Sequence, residues 1–226
     1  MASELHNIPN IQFSACGKYL ASCSISGRIT VYAGNPLAEV ASYQQQDWMW
    51  SVNWLCRYEA ESIDLKSLRT PAAISAPCRR NDLSDYLLLC SDASKFHLFE
   101  FTRRSDGDGF VMTKAATQSV KFNVMMAMRS DYLRVSLAKK LDGLPVVVAA
   151  IQNSDTLVFA HILRLDGALS VRLFEVDLKN DACIQGLDAF VSTLSGGLSV
   201  TVLALCYSKH VYMLRYKLST LLLLTV

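Results

Sequence analysis

The histidines of the chain are its first candidates for chemistry, because imidazole serves proteins both as a metal ligand and as a general base. His97, His161 and His210 each lie in a short apolar segment, and they are far apart in the sequence, as is the fourth, His6. Zinc sites instead use three or four ligands that converge, usually at short local spacing. We therefore expect structural histidines and no metal site.

Covalent catalysis and phosphate binding leave recognisable motifs, and the sequence carries neither. A catalytic serine would occur as Gly-x-Ser-x-Gly, and a phosphate cradle as a glycine-rich loop that follows a strand. Ser195-Gly-Gly197 lacks the strand-to-helix turn that holds a catalytic serine. Asp106-Gly-Asp-Gly109 offers carboxylates for calcium, but it lacks the later ligands of a calcium-binding hand. Both are interpreted as turns. The sequence thus predicts no catalytic residue, no cofactor and no enzyme.

All three tryptophans, Trp48, Trp50 and Trp54, lie close together at even spacing. Even spacing places side chains on one face of a strand, so we expect one aromatic face. That face either fills the core or anchors a partner, because protein interfaces favour tryptophan. We select Trp48 and Trp50, with the loop residues Arg79 and Arg80, as candidate partner-binding residues.

Composition restricts the class of protein. Of 226 residues, 51% are hydrophobic and 19% are charged, with 22 basic and 20 acidic side chains. These values argue against disorder and against direct nucleic-acid binding. No signal peptide is visible, and the longest apolar run, at 218–226, is far shorter than the roughly 20 residues of a membrane span. Seven cysteines without a Cys-x-x-Cys pair predict reduced thiols, and hence the nucleus or the cytoplasm.

Short apolar segments rich in Val, Phe, Tyr and Thr, each bounded by turn residues, predict β-strands. A unit of strand, tight turn and strand occurs four times. Units of four antiparallel strands are typical of propeller blades. We expect a single propeller region over 1–226, with an inserted loop at 57–84 and blades at approximately 5–47, 48–117, 118–180 and 181–226.

The third unit is the least regular part of the pattern. Its first strand is expected at 121–128. The segment 128–141 is the best candidate for a turn or two of helix, although its charged residues fall on changing faces. No other segment of the sequence favours a helix of ordinary length.

The first unit resembles a WD40 repeat over Ile11–Tyr32. It carries Phe-Ser-Ala-Cys-Gly, then Leu-Ala-Ser and a tight turn that ends in Gly27. Ser26 stands where that family usually has Asp, and Tyr32-Ala33 replaces Trp-Asp. The resemblance implies an all-β, WD40-like propeller that acts as a non-enzymatic scaffold for protein–protein interactions. Four recognisable blades are fewer than the usual seven, so we expect a partial or divergent propeller, completed by further blades or by a partner chain.

A finer resemblance rests on three segments: His6–Ile11, Lys18–Ile25 and Trp50-Ser-Val-Asn-Trp54. They are similar to fungal WD40 proteins that regulate transcription of the ribonucleotide reductase genes. This resemblance implies a role in transcriptional regulation or as an adaptor of a cullin ubiquitin ligase, with components of those machineries as partners. The short apolar runs predict no membrane partner. The alternatives are a propeller enzyme with a pocket built from loops, where Asp92, Asp155 and Lys209 occupy equivalent turns, and a structural propeller of a coat or pore.

Overall fold

The part of the chain that the structure describes folds into four antiparallel β-sheets. This computed structural model describes residues 7–57, 81–92, 94–107, 109–120, 135–140, 146–151, 155–165, 167–178, 184–194, 197–207 and 209–217. The only helical turn of more than one residue within those ranges is a 3₁₀ turn at Leu83–Asp85. None of the described helices is long and apolar enough to span a bilayer.

Each sheet is a meander in which successive strands pair, and we call the sheets blades 1 to 4. Blade 1 consists of β1 (Asn10–Phe13), β2 (Tyr19–Cys23), β3 (Arg28–Ala33) and β4 (Ala38–Gln44). Blade 2 consists of β5 (Ser51–Cys56), β6 (Tyr86–Ser91), β7 (Lys95–Arg103) and β8 (Phe110–Ser119). Blade 3 consists of β9 (Val135–Lys140), β10 (Val146–Ile151), β11 (Thr156–Leu165) and β12 (Ala168–Asp177). Blade 4 has three described strands, β13 (Ile184–Leu194), β14 (Gly197–Cys206) and β15 (Val211–Lys217).

The inner blades are apolar on both faces, because each is covered by a blade on either side. In β6, Leu88 packs toward blade 1, whereas Leu87 and Leu89 pack toward blade 3, and none of the three is exposed. A strand covered on both faces has a continuous apolar sequence. Three apolar layers therefore separate the four blades; their main members are Ile29, Val31, Trp54 and Phe101 in the first, Leu98, Val158 and Ile162 in the second, and Val148, Phe159, Val200 and Val202 in the third.

The first strands of successive blades lie against one another, from β1 to β5, β9 and β13. Between β1 and β5 the contact includes hydrogen bonds from backbone to side chain. The backbone N–H of Val52 donates to Asn10 Oδ1 at 3.1 Å, and that of Trp54 donates to Gln12 Oε1 at 3.0 Å. The amide side chains of β1 thus satisfy the donors on the free edge of β5. Four stacked meanders with adjoining first strands form the arrangement of propeller blades.

The structure corrects the expected start of blade 3. Residues 135–140 form strand β9, paired with β10, where a turn or two of helix was expected over 128–141. Pairing with the apolar strand β10 outweighs the weak helical preference of this segment, because local propensity yields to tertiary context. The strand expected at 121–128 lies outside the described residues.

Two further findings differ from the sequence-based expectations. Strand β4 completes blade 1 but was not predicted, because Ala38–Gln44 mixes exposed polar and small residues.

The expectation of reduced cysteines agrees with the free thiols of Cys16, Cys23, Cys90 and Cys206. It is wrong for Cys56, which is disulfide-bonded. Sequence spacing does not reveal cysteines that meet only through the fold.

Candidate functional site

The linker between blades 1 and 2, residues 45–50, is held in place by the turns of both blades. The backbone N–H of Met49 donates to the carbonyl of Ser24 at 3.3 Å, and that of Trp50 donates to the carbonyl of Ser91 at 2.8 Å. The side chain of Met49 is completely buried. Hydrogen bonds at both ends and a buried anchor between them give this linker a defined conformation.

Gly27 allows the linker to approach blade 1. Its φ is +82°, and a Cβ atom at this position would lie 2.3 Å from the carbonyl oxygen of Gln45 and 2.7 Å from that of Asp47. Only glycine fits such a conformation at such a distance. The side chain of Gln45 extends the contact to blade 2: its Oε1 accepts from Lys114 Nζ at 2.6 Å, and its Nε2 lies 3.3 Å from His97 Nε2.

Trp48 and Trp50 lie next to each other on this linker, and we call the pair the aromatic step. Their ring centroids are 6.3 Å apart at an interplanar angle of 68°, an edge-to-face arrangement. Trp48 is 59% exposed, and Trp50 is half-buried. A large aromatic ring on a defined linker is a suitable anchor for a partner, because binding would order few additional groups.

The expectation that all three tryptophans share one strand face is wrong. Strand β5 begins at Ser51, so Trp48 and Trp50 precede it. Trp54 alone lies in the strand, buried among the rings of Tyr86 and Phe101 at centroid distances of 5.6 and 5.9 Å. Its indole N–H donates to the carbonyl of Gln12 at 2.9 Å. Trp54 therefore fills the core, whereas Trp48 lies at the surface.

Beside the linker, Asp92 and His97 form a buried pair. The Asp92 Oδ2 atom is 2.7 Å from His97 Nε2, and both residues are 1% exposed. His97 Nδ1 is 3.1 Å from Thr117 Oγ1, and Asp92 Oδ1 accepts from the backbone N–H groups of Ser94 and Lys95. Burial raises the pKa of Asp92, but the hydrogen bonds from His97 and these amides outweigh it, and the pKa lies below its usual value. The pair fixes the turn of blade 2, so His97 is structural.

The other described histidines lie in different blades. His161 is buried in β11, and its pKa is lowered to about 4, first by burial and second by the charge of Arg172. His210 is exposed, with its ring centroid 6.5 Å from that of Tyr212. Within the described residues no group of His, Cys, Asp and Glu could hold a metal ion.

The three residues considered for a propeller enzyme each have different local contacts. Asp92 is buried in its pair with His97, and the backbone carbonyl of Asp155 accepts from the backbone N–H of Leu178. Lys209 adopts a φ of +65° on an exposed turn. A cavity of about 420 Å³ lies elsewhere, at the far end of blade 1, lined by Gly17, Lys18, Tyr19, Ala33, Gly34 and Asn81. Arg79 and Arg80 lie outside the described residues, as does most of the inserted loop at 57–84.

Comparison with solved structures defines the fold as a WD40-type β-propeller. The WD40 domain of SCAP from fission yeast aligns with a TM-score of 0.51 at 9% identity, covering 94% of this chain and 43% of that one. The β-propeller domain of Cps50 (Swd1) from Myceliophthora thermophila aligns with a TM-score of 0.48 at 11% identity, covering 93% of this chain and 53% of that one. The predicted all-β, WD40-like propeller is confirmed.

Sequence comparison gives a shorter match. A WD40 repeat-containing protein of Dictyostelium discoideum is 38% identical over 50 residues, which are 22% of this chain and 8% of that protein. No protein-family profile matches the chain. The chain thus spans about half the length of the solved propeller domains and a small part of the curated relative.

Proposed function

We propose that this chain is a non-catalytic scaffold that binds a protein partner through the aromatic step. The observation that carries the proposal is the exposure of Trp48 on a linker held by two blades. Tryptophan is enriched among the residues that dominate binding energy, and a linker ordered before binding lowers the entropic cost of association. The WD40-type fold supports the proposal, because propeller loops present residues from a rigid framework.

The partner class that we propose comes from the resemblance of the first two units to fungal regulators of ribonucleotide reductase genes. It comprises components of the transcription machinery or of a cullin ubiquitin ligase, in the nucleus or the cytoplasm. Trp50-Ser-Val-Asn-Trp54 belongs both to that resemblance and, through Trp50, to the aromatic step. The proposed contact and the proposed partner class therefore meet at the same segment.

Affinity purification from fungal extract, with quantitative mass spectrometry, tests both parts of the proposal. The tagged chain is compared with Trp48→Ala and with a matched control, Leu37→Ala. Leu37 is 54% exposed in the turn between β3 and β4, at the opposite end of blade 1. Loss of a tryptophan anchor costs about 2 kcal/mol or more, so recovery of the partner should fall at least about tenfold in Trp48→Ala alone.

Two results would contradict the proposal. Equal recovery of cullin-ligase or transcription components by the unmodified chain and by Trp48→Ala would show that the aromatic step does not bind them. Recovery of chaperones alone by the unmodified chain would exclude the proposed partner class.

A further inference from the structure

Lys114, on the outer strand β8 of blade 2, contacts both the linker and the strand that leads into it. Its Nζ atom donates to Gln45 Oε1 at 2.6 Å. The same Nζ atom lies 5.5 Å from the centroid of the Tyr43 ring, near the end of β4. We call the contact between Gln45 and Lys114 the linker clamp.

Gln45 connects blade 1 to blade 2 at the start of the linker. Its backbone N–H donates to the carbonyl of Gly27, in the turn of blade 1, at 2.9 Å. Its side chain lies against blade 2, where it contacts Lys114 and the buried His97. Because His97 is itself held by Asp92 at 2.7 Å, the side chain of Gln45 rests on a well-defined surface of blade 2.

The exposed ring of the aromatic step lies between two points that the blades hold in place. Residues 46–48 are exposed, whereas the side chain of Met49 is completely buried. Trp48 thus lies between the contacts of Gln45 and the anchor at Met49. The orientation of its ring against that of Trp50 depends on both points, because the segment between them is only three residues long.

We propose that Gln45 and Lys114 are positioning residues for the aromatic step, so that blade 2 controls the affinity of the partner site through the linker clamp. This inference rests on the proposed function, because it concerns the regulation of the same site. A conformation that is competent to bind but is populated less often gives a proportionally weaker apparent affinity. The net loss of one hydrogen bond changes such a population by up to about tenfold.

The charge of Lys114 explains why one exposed side chain can have this effect. Hydrogen bonds from an ionised donor are stronger than neutral ones, and a cation is attracted to the face of an aromatic ring. Lys114→Met keeps a long side chain but loses both interactions. Lys114→Arg retains both, because a guanidinium group is always charged, donates hydrogen bonds and stacks on aromatic rings.

Circular dichroism of the full chain without a partner measures the geometry of the aromatic step, because two indole rings this close couple their electronic transitions. Trp48→Ala defines the complete loss of the coupled signal. Gln45→Ala and Lys114→Met should each reduce the signal about twofold or more, and Lys114→Arg should retain it. Gln46→Ala is the matched control, since it removes the same side chain from the next, exposed position and should leave the signal unchanged.

Affinity purification of the same variants connects this geometry to binding. Recovery of the partner should fall about twofold to tenfold in Gln45→Ala and in Lys114→Met. It should stay at the level of the unmodified chain in Lys114→Arg and in Gln46→Ala. Urea denaturation verifies that each variant is folded under the conditions of both measurements.

The two measurements separate this inference from the proposed function. A coupled signal that neither Gln45→Ala nor Lys114→Met reduces, or that Gln46→Ala reduces equally, overturns the linker clamp whether or not a partner is recovered. A reduced signal with full recovery, while Trp48→Ala still lowers recovery, overturns the control of affinity and leaves the proposed function intact. Unchanged recovery in Trp48→Ala contradicts the proposed function and the control of affinity with it, whereas the positioning of the aromatic step is still decided by circular dichroism.

Discussion

Acidification should destabilise this protein through His161. The residue is 5% exposed in β11 and lies opposite Arg172 of β12. Burial, and then the positive charge of Arg172, lower its pKa from 6.5 to about 4. The unfolded chain therefore takes up a proton below pH 6.5, whereas the folded chain does so only near pH 4. The contribution of the neutral imidazole to stability is complete above pH 6.5 and is lost as the pH falls toward 4.

The size of the effect follows from the two pKa values. A tenfold difference in proton affinity between the folded and unfolded states corresponds to about 1.4 kcal/mol. The lowering of the pKa from 6.5 to about 4 thus corresponds to a loss of about 3 kcal/mol at full protonation. At pH 5 the unfolded chain is almost fully protonated at His161 and the folded chain is not. We expect a loss of about 2 kcal/mol between pH 7 and pH 5.

Urea denaturation at pH 7 and at pH 5, followed by tryptophan fluorescence, measures this loss. His161→Gln removes the titrating group, so its free energy of unfolding should change about 2 kcal/mol less between the two pH values than that of the unmodified protein. His210→Gln, at an exposed histidine, is the matched control and should behave as the unmodified protein does. An equal loss of stability in His161→Gln and the unmodified protein would refute the argument that burial keeps His161 neutral.

Three further predictions concern the core, the buried turn of blade 2 and the linker. In urea denaturation followed by circular dichroism, Trp54→Ala should lower the free energy of unfolding by about 3–5 kcal/mol. Trp48→Ala should lower it by less than about 0.5 kcal/mol. Similar losses in the two variants would contradict the assignment of Trp54 to the core and Trp48 to the surface. Asp92→Ala should lower the free energy of unfolding by about 3–5 kcal/mol, because it leaves the partners of a buried carboxylate unsatisfied. The control Asp47→Ala, at an exposed residue, should lower it by less than about 1 kcal/mol. An equal loss in the two variants would show that the buried pair does not stabilise the turn. Gly27→Ala should displace the linker and reduce partner recovery in affinity purification to the level of Trp48→Ala; unchanged recovery would mean that the linker position does not matter for binding.

The blades could be predicted because their strands have simple patterns. The buried strand β6 is a run of leucines between turn residues, and β11 and β14 combine leucine with β-branched residues in the same way. Such runs bounded by turns specify strands largely by themselves. Strand β4 is different: it is an outer strand whose residues are mostly exposed or half-buried, so its sequence contains little of that pattern.

The aromatic step could be predicted only in part. Residue type and clustering selected Trp48 and Trp50 as candidate partner-binding residues, and Trp48 lies at the surface. Their even spacing wrongly suggested a single strand with Trp54. The end of the linker is determined by the hydrogen bond from Trp50 to Ser91, a residue of a strand far along the sequence. A contact of this kind depends on the tertiary structure and leaves no local pattern.

The exposed apolar residues of this molecule are of two physical kinds, and the difference decides what each can bind. Phe13 and Met213 have counterparts in other blades, Trp54 and Val31, that are buried by a neighbouring blade. Their exposure is therefore that of strand positions against which no described blade packs. Trp48 belongs to the linker and has no place in the strand register, so no blade is required to cover it. The strand faces that carry Phe13 and Met213 are thus separate from the aromatic step.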